Sequence, residues 1–228
     1  MSGVIQTLLG GFGVVTIPYS AVTFLLKATG ADGAQTGIDD VSNNTYAITV
    51  NGNAQCETAT YKWSESVSFD GTGDYLNVAS TPADFGTGDF TIEGWINSST
   101  TSQQGANSRT IIVTDQAASV FQLYFEIGTG KLVWGAGTIV GTSNVASGAF
   151  KHFAIVRESG SISIYVEGSR EAGPTSYTTN FSATNLKIGG VDASNGCIVG
   201  FLEDLRLTNV ARYSGASYTV PTATFPSS

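Results

Sequence analysis

A chain of 228 residues with 41% hydrophobic side chains is long and apolar enough to bury a core without a disulfide or metal staple. Only 12% of its residues are charged, and Ser, Thr, Asn and Gly supply the polar surface, which argues for strands and turns over helices. The net charge is −8 and the ten Lys and Arg are scattered, with no basic patch in the sequence, so nucleic acid is not an expected partner.

Residues 1–20 differ in pattern from the remainder of the chain. Val4, Ile5, Leu8 and Leu9 have helical spacing, Gly10–Gly13 breaks the pattern and Pro18 closes it. Two readings stand: a packed or frayed N-terminal arm, or an apolar anchoring and oligomerisation segment that inserts those side chains into a neighbouring subunit. The first basic residue is Lys27 and the apolar run falls short of the ~20 residues that span a bilayer, so neither a signal peptide nor membrane insertion is expected.

After Pro18 short strands alternate with turn clusters. Ala21–Ala28 has the continuous apolar pattern of a strand buried on both faces. Tyr46–Val50 is a strand ending in the Asn51-Gly52-Asn53 turn, and glycines 71 and 73 turn the chain between the alternating pairs Val67/Phe69 and Leu76/Val78. Thr91–Asn97 alternates, with Phe90, Ile92 and Ile96 on one face and Thr91, Glu93 and Trp95 on the other. Further strands are predicted over Thr110–Thr114, Val120–Ile127, Lys131–Trp134, Phe150–Arg157, Ser161–Glu167, Asn185–Ile188 and Ile198–Leu207. Ser161–Glu167 pairs with Phe150–Arg157 as a hairpin, with Ile162, Ile164 and Val166 inward and Ser161, Ser163 and Tyr165 outward. Many short strands with frequent turns predict an all-β sandwich or barrel. One strand carries a conflict: strict alternation puts Glu203 on the same face as Val199, Phe201, Leu205 and Leu207. Either Arg157 or Arg206 partners it, or a bulge re-aims it, or that face is not core.

Several segments, taken in order, resemble the laminin-G-like, concanavalin A-like jelly-roll domains. They are Ser68-Phe69-Asp70-Gly71-Thr72-Gly73-Asp74-Tyr75-Leu76, the Asp84–Trp95 stretch, His152–Arg157 with Ile164–Gly168, and Gly200–Leu207. The resemblance implies a two-sheet antiparallel jelly-roll sandwich over residues 21–228, preceded by the arm of residues 1–20. The chain departs from the family pattern at Glu203 and at Gly94, where a bulky residue is usual. Val210-Ala211-Arg212-Tyr213, the Pro221–Pro226 ending, Phe24–Lys27, Asp39-Asp40 and Asn51–Gln55 are similar to a subset common in tailed bacteriophages. That similarity implies a structural virion protein, in capsid decoration or a tail fibre, made in the host cytoplasm and sited on the virion surface.

The chemistry-bearing residues are few. The single histidine, His152, lies in a strand and is expected to be a structural or surface residue. No nucleophile elbow and no Glu-x-Asp-x-Glu run is present, so catalysis is not expected and a glycoside hydrolase is the weakest reading. Asp70 and Asp74 flank a glycine turn and are candidate calcium ligands, with simple turn formation as the competing reading. Trp95 and Trp134 are candidate sugar-stacking rings, with core packing as the competing reading. Cys56 and Cys197 match no metal spacing and are expected as two free, buried thiols, with a disulfide between them as the competing reading. The expected function is therefore a non-enzymatic virion module, with other virion proteins and sister subunits as partners and host-surface glycans as ligand. No cofactor is required, a structural calcium being possible, and a calcium-dependent adhesin is the alternative.

Overall fold

The structure, a computed structural model, describes residues 6–8, 15–99, 108–115, 121–135 and 137–227. Among these, the strands in chain order are β1 (Gln6–Leu8), β2 (Val15–Ile17), β3 (Val22–Ala28), β4 (Ile38–Asp40), β5 (Ile48–Asn51), β6 (Gln55–Glu57), β7 (Ser66–Asp70), β8 (Tyr75–Val78) and β9 (Phe90–Asn97). They continue as β10 (Ser108–Thr114), β11 (Gln122–Glu126), β12 (Lys131–Trp134), β13 (Ile139–Asn144), β14 (Lys151–Glu158), β15 (Ser161–Val166), β16 (Ser169–Ser176), β17 (Leu186–Ile188) and β18 (Val199–Thr208). The only helix among the described residues is a single 3-10 turn, Tyr19–Ala21.

Two antiparallel sheets face each other. One runs β13-β12-β11-β10-β17-β8-β5; the other runs β16-β15-β14-β9-β18-β3-β4, with β7 also on β18 and β6 on β7. The expected two-sheet sandwich is therefore present. Its N-terminal arm is a hairpin, β1 against β2, and not the helical segment that the spacing of Val4, Ile5, Leu8 and Leu9 suggests. Val4, Ile5 and Leu9 lie outside the described residues.

Between the sheets lies one core containing Phe24, Leu76, Phe90, Ile92, Phe121, Trp134, Phe153, Ile164 and Leu205. Alternation explains each of these strands, since every second side chain points between the sheets. Arg157 closes one end of this core. It is fully buried, donates to the carbonyls of Gly86, Gly88 and Thr179, and lies over the rings of Phe90 and Phe181. It is thus not a partner of Glu203.

The outer face of the second sheet is also buried. Val22, Leu25, Trp95 and Phe225 form one outer cluster, and Ala154, Val156, Tyr165 and Tyr213 form another. The C-terminal segment after β18 covers them, so Tyr165, predicted to face solvent, is only 2% exposed and donates its hydroxyl to the Gly215 carbonyl.

A bulge on β18 makes this two-sided burial possible. Glu203 pairs with Trp95 and Arg206 with Glu93, so Asp204 and Leu205 together oppose Gly94 alone. The extra residue reverses the alternation: Leu202 points into the core before the bulge, Leu205 and Leu207 after it, and Glu203 and Asp204 both point outward. Asp204 takes the left-handed conformation, φ 53°, that the bulge demands. Gly94 is the matching requirement on β9. A Cβ there would lie 3.2 Å from the Leu205 Cα and 3.3 Å from the carbonyl oxygens of Asp204 and Glu203. Gly94→Ala should therefore lower stability by about 1–3 kcal/mol through overpacking. A thermal melt should show Tm falling by roughly 2–4 °C per kcal/mol for a chain of this size; an unchanged Tm would mean that the bulge does not need the glycine.

Candidate functional site: an aromatic loop held by buried carboxylates

The loop joining β6 to β7, residues 58–65, carries two of the few exposed large apolar side chains. Tyr61 is 48% and Trp63 36% exposed. Between them stands Lys62, whose Nζ lies 5.3 Å from the centre of the Trp63 ring.

Such a loop has no strand partner to fix it, and carboxylates take that role. Asp32 accepts from the Thr58 N–H (3.0 Å) and hydroxyl (3.2 Å), and Glu57 accepts from the N–H groups of Ala59 (2.6 Å) and Thr60 (3.1 Å). The bulged Glu203 accepts from three consecutive N–H groups: Lys62, Trp63 at 2.8 Å and Ser64 at 3.2 Å. Successive backbone N–H groups converging on one anion are a concave anion site, filled here by a side chain of the same protein. Burial pushes the Glu203 carboxyl above the usual glutamate range, and the three N–H groups act against that shift. Trp63 then rests edge-on against the buried Trp95, with centroids 6.1 Å apart and planes at 85°. The loop is a fixed platform, with its backbone polar groups turned inward and its aromatic side chains turned out.

Behind the platform, the C-terminal segment is fastened to the same sheet. Glu93 is fully buried and pairs with Arg206 (2.7 Å) and Arg212 (3.1 Å), accepts from the Tyr213 hydroxyl (2.6 Å), and lies 3.5 Å from Nε2 of His152. Nδ1 of His152 meets the Tyr218 hydroxyl at 2.8 Å, and Tyr213 and Tyr218 stack at 3.6 Å. The histidine is fully buried within this network. Asp204, beside Glu203, pairs with Lys27 and accepts from the Phe225 N–H (2.6 Å) and the Thr224 hydroxyl (2.8 Å).

The sequence-based candidates are placed elsewhere. Trp95 is 1% and Trp134 0% exposed, so neither ring is open to a sugar: Trp95 packs with His152 and Phe225, and Trp134 with Phe121 and Phe181. The Asp74 carboxylate is buried and accepts from the N–H groups of Asn53 (2.7 Å) and Asp70 (2.8 Å), while Asp70 accepts from the Thr72 N–H (2.6 Å). These aspartates close turns, and no group of three or more His, Cys, Asp or Glu side chains among the described residues could hold a metal ion. Cys56 and Cys197 are free and buried, and burial pushes both thiols up. No described helix is long and apolar enough to cross a membrane. Tyr61 and Trp63 are missing from the sequence-based candidates. Their one signal is two aromatics spaced i, i+2 within the polar run Glu57–Ser66.

The fold and this geometry can be set beside known proteins. A laminin-G family model, described as the concanavalin A-like lectin/glucanases superfamily, matches residues 70–214. Among solved structures, the binding domain of botulinum neurotoxin DC in complex with SialylT superposes with a TM-score of 0.62 at 12% identity, over 86% of this chain and 49% of that one. The same domain in complex with rat synaptotagmin II gives 0.64 at 13% identity, over 86% and 50%. The binding domain of Paraclostridial mosquitocidal protein 1 gives 0.62 at 15% identity, over 86% and 50%. The chain thus spans about half the length of these structures, and at such identities the likeness establishes the fold. No curated protein sequence matches the chain significantly.

Burial alone would raise the Glu93 carboxyl, but Arg206, His152 and Arg212 outweigh it and hold it far below the usual glutamate value of 4.5. A group depressed in the folded state stabilises the fold above its unfolded pKa, and that contribution is lost as pH falls further. Thermal stability should therefore decline as pH drops below about 4.5. Glu93→Gln should flatten this acid limb and cost about 3–5 kcal/mol at neutral pH by removing the buried carboxylate that faces Arg206 and Arg212. An acid limb unchanged in the variant would contradict the assignment.

Proposed function

The chain belongs to the concanavalin A-like lectin/glucanases superfamily, and we propose that within it this protein is a non-catalytic glycan-binding module displayed on the surface of a bacteriophage virion. The observation that carries the binding reading is the exposed Tyr61–Trp63 pair on a loop fixed by Glu203. Sugars dock by laying apolar ring faces on exposed aromatics. A platform already held in place loses little freedom on binding, which favours affinity.

Non-catalysis is supported by the central acids. A glycosidase needs two carboxyl groups facing the substrate, roughly 5–10 Å apart; Glu93 and Glu203 are buried, one among arginines and the other under backbone N–H groups. The lone pairs of Asp74 already serve turn amides, which supports binding without a metal cofactor. The virion setting is supported by the sequence similarity of Val210–Tyr213 and Pro221–Pro226 to phage proteins. There, residues 1–20 anchor the module to other virion proteins and sister copies. A single shallow site gives about −4 to −8 kcal/mol, millimolar to micromolar, so many copies on one particle supply avidity.

A glycan array probed at high protein density tests the binding reading. The wild type should bind a defined glycan class, and Trp63→Ala and Tyr61→Ala should each weaken binding about tenfold, or 1.4 kcal/mol, with Tm unchanged. Equal binding by wild type and Trp63→Ala, or no binding by the wild type, would overturn it. Antibody labelling of imaged particles tests the setting: absence from the virion would refute it.

A further inference from the structure

We propose that the outer face of the second sheet binds a halide-sized anion, chloride in the first instance, in a small pocket lined by Arg206 and Arg212. The site stands apart from the Tyr61–Trp63 platform and does not depend on the glycan-binding reading.

The pocket is built from three parts of the chain. Ile17, Pro18 and Val22 come from the segment that enters β3, Arg206 from β18, and Arg212 and Pro226 from the C-terminal segment. Tyr19 completes the wall, with its hydroxyl donating to the Val41 carbonyl at 2.8 Å. The pocket is partly open and leaves about 10 Å³ for the centre of a water-sized particle, which is room for one. A halide ion fits that space; sulfate, phosphate and a sugar acid are too large.

Charge selects an anion for it. Arg206 and Arg212 are 2% and 3% exposed, and both pair with one oxygen of Glu93, Oε1, at 2.7 and 3.1 Å. Two guanidinium charges thus share one carboxylate beside mostly apolar walls, where charges are poorly screened. Burial and the nearby Arg206 push the Arg212 guanidinium down from its usual value, against the pull of Glu93. Arg157 shows that three backbone carbonyls can also serve a buried guanidinium. The difference here is that two guanidinia line a single pocket. Asp40, whose charge reaches Tyr19, is turned onto the N–H groups of Leu25, Ser42 and Tyr46.

The chemistry of the wall favours a halide over water. Guanidinium groups only donate, and a halide is satisfied by donors alone, whereas water also needs acceptors. The net charge of −8 opposes an anion at long range, but salt screens that repulsion beyond about 10 Å. Held between the two guanidinia, the ion joins the entry to β3, β18 and the C-terminal segment, and so stabilises the cover of the outer face.

The test uses the full chain in chloride, with gluconate, too large for the pocket, replacing it at constant ionic strength. Tm should rise saturably with chloride, by roughly 3–6 °C once chloride reaches about ten times its dissociation constant. Crystals grown in bromide should show its anomalous signal at Arg206 and Arg212. Arg212→Gln should lose the chloride increment whatever its own Tm. The same Tm in chloride and gluconate, or an equal increment in the variant, overturns the proposal. If the variant does not fold, the wild-type crystal decides: bromide at the two guanidinia supports the site, and its absence there overturns it.

Discussion

The bulge at Glu203–Arg206 on β18 is the constraint on which the rest of the outer architecture depends. A regular strand would send Glu203 and Asp204 to opposite faces, one of them into the apolar core at a cost of several kcal/mol. With Asp204 and Leu205 both opposite Gly94, the two neighbouring carboxylates instead emerge on the same outer face. Glu203 takes three N–H groups from the β6–β7 loop; Asp204 takes Lys27 from β3 and Phe225 from the C-terminal segment. One local irregularity thus fastens two segments that lie outside the named strands.

That sheet is consequently buried on both faces, and each face uses different chemistry. The inner face is a plain hydrocarbon core, where close packing decides stability. The outer face mixes apolar clusters with a polar network centred on Glu93, in which each member is stabilised by several partners. Buried ion pairs contribute little net stability compared with hydrocarbon of the same volume. They do give direction: Glu93, Glu203 and Asp204 select which covering segment lies where. The exposed aromatic pair sits at the margin of this cover, with Trp63 resting on Trp95 as the link between the buried cluster and solvent.

Most of the fold was legible in the sequence because alternation survives wherever a strand has one core face. The faces of Phe90–Asn97 and the hairpin of β14 and β15 follow directly from it. Strands β4, β6, β13 and β16 were not legible: two are three residues long, β13 ends in exposed polar residues, and β16 contains Gly173-Pro174. The burial of Tyr165 was hidden for another reason, since its cover comes from residues far along the chain; the same kind of cover decides Trp95 in favour of the core-packing reading. For Glu203 the alternation pattern registered the conflict, and the bulge was among its possible resolutions; Gly94 was visible only as a second departure from the family pattern. Three-dimensional register shows that these two departures are one feature. The platform was the least legible part. Nothing in Tyr61-Lys62-Trp63 distinguishes a ring that faces solvent from one that faces a core until the acceptor of its backbone N–H groups is known.

Tyr61 and Trp63 form a surface that Glu203 holds in place before any ligand arrives. The most direct test is amide hydrogen exchange at Lys62, Trp63 and Ser64 in the wild type and in Glu203→Gln. A charge-assisted bond is worth about 1.5–3 kcal/mol, so these amides should be protected in the wild type. They should exchange at least about tenfold faster in the variant, while the inner-core amides of β9 and β14 are unaffected. Fast exchange at all three amides in the wild type, or the same rates in both proteins, would contradict it.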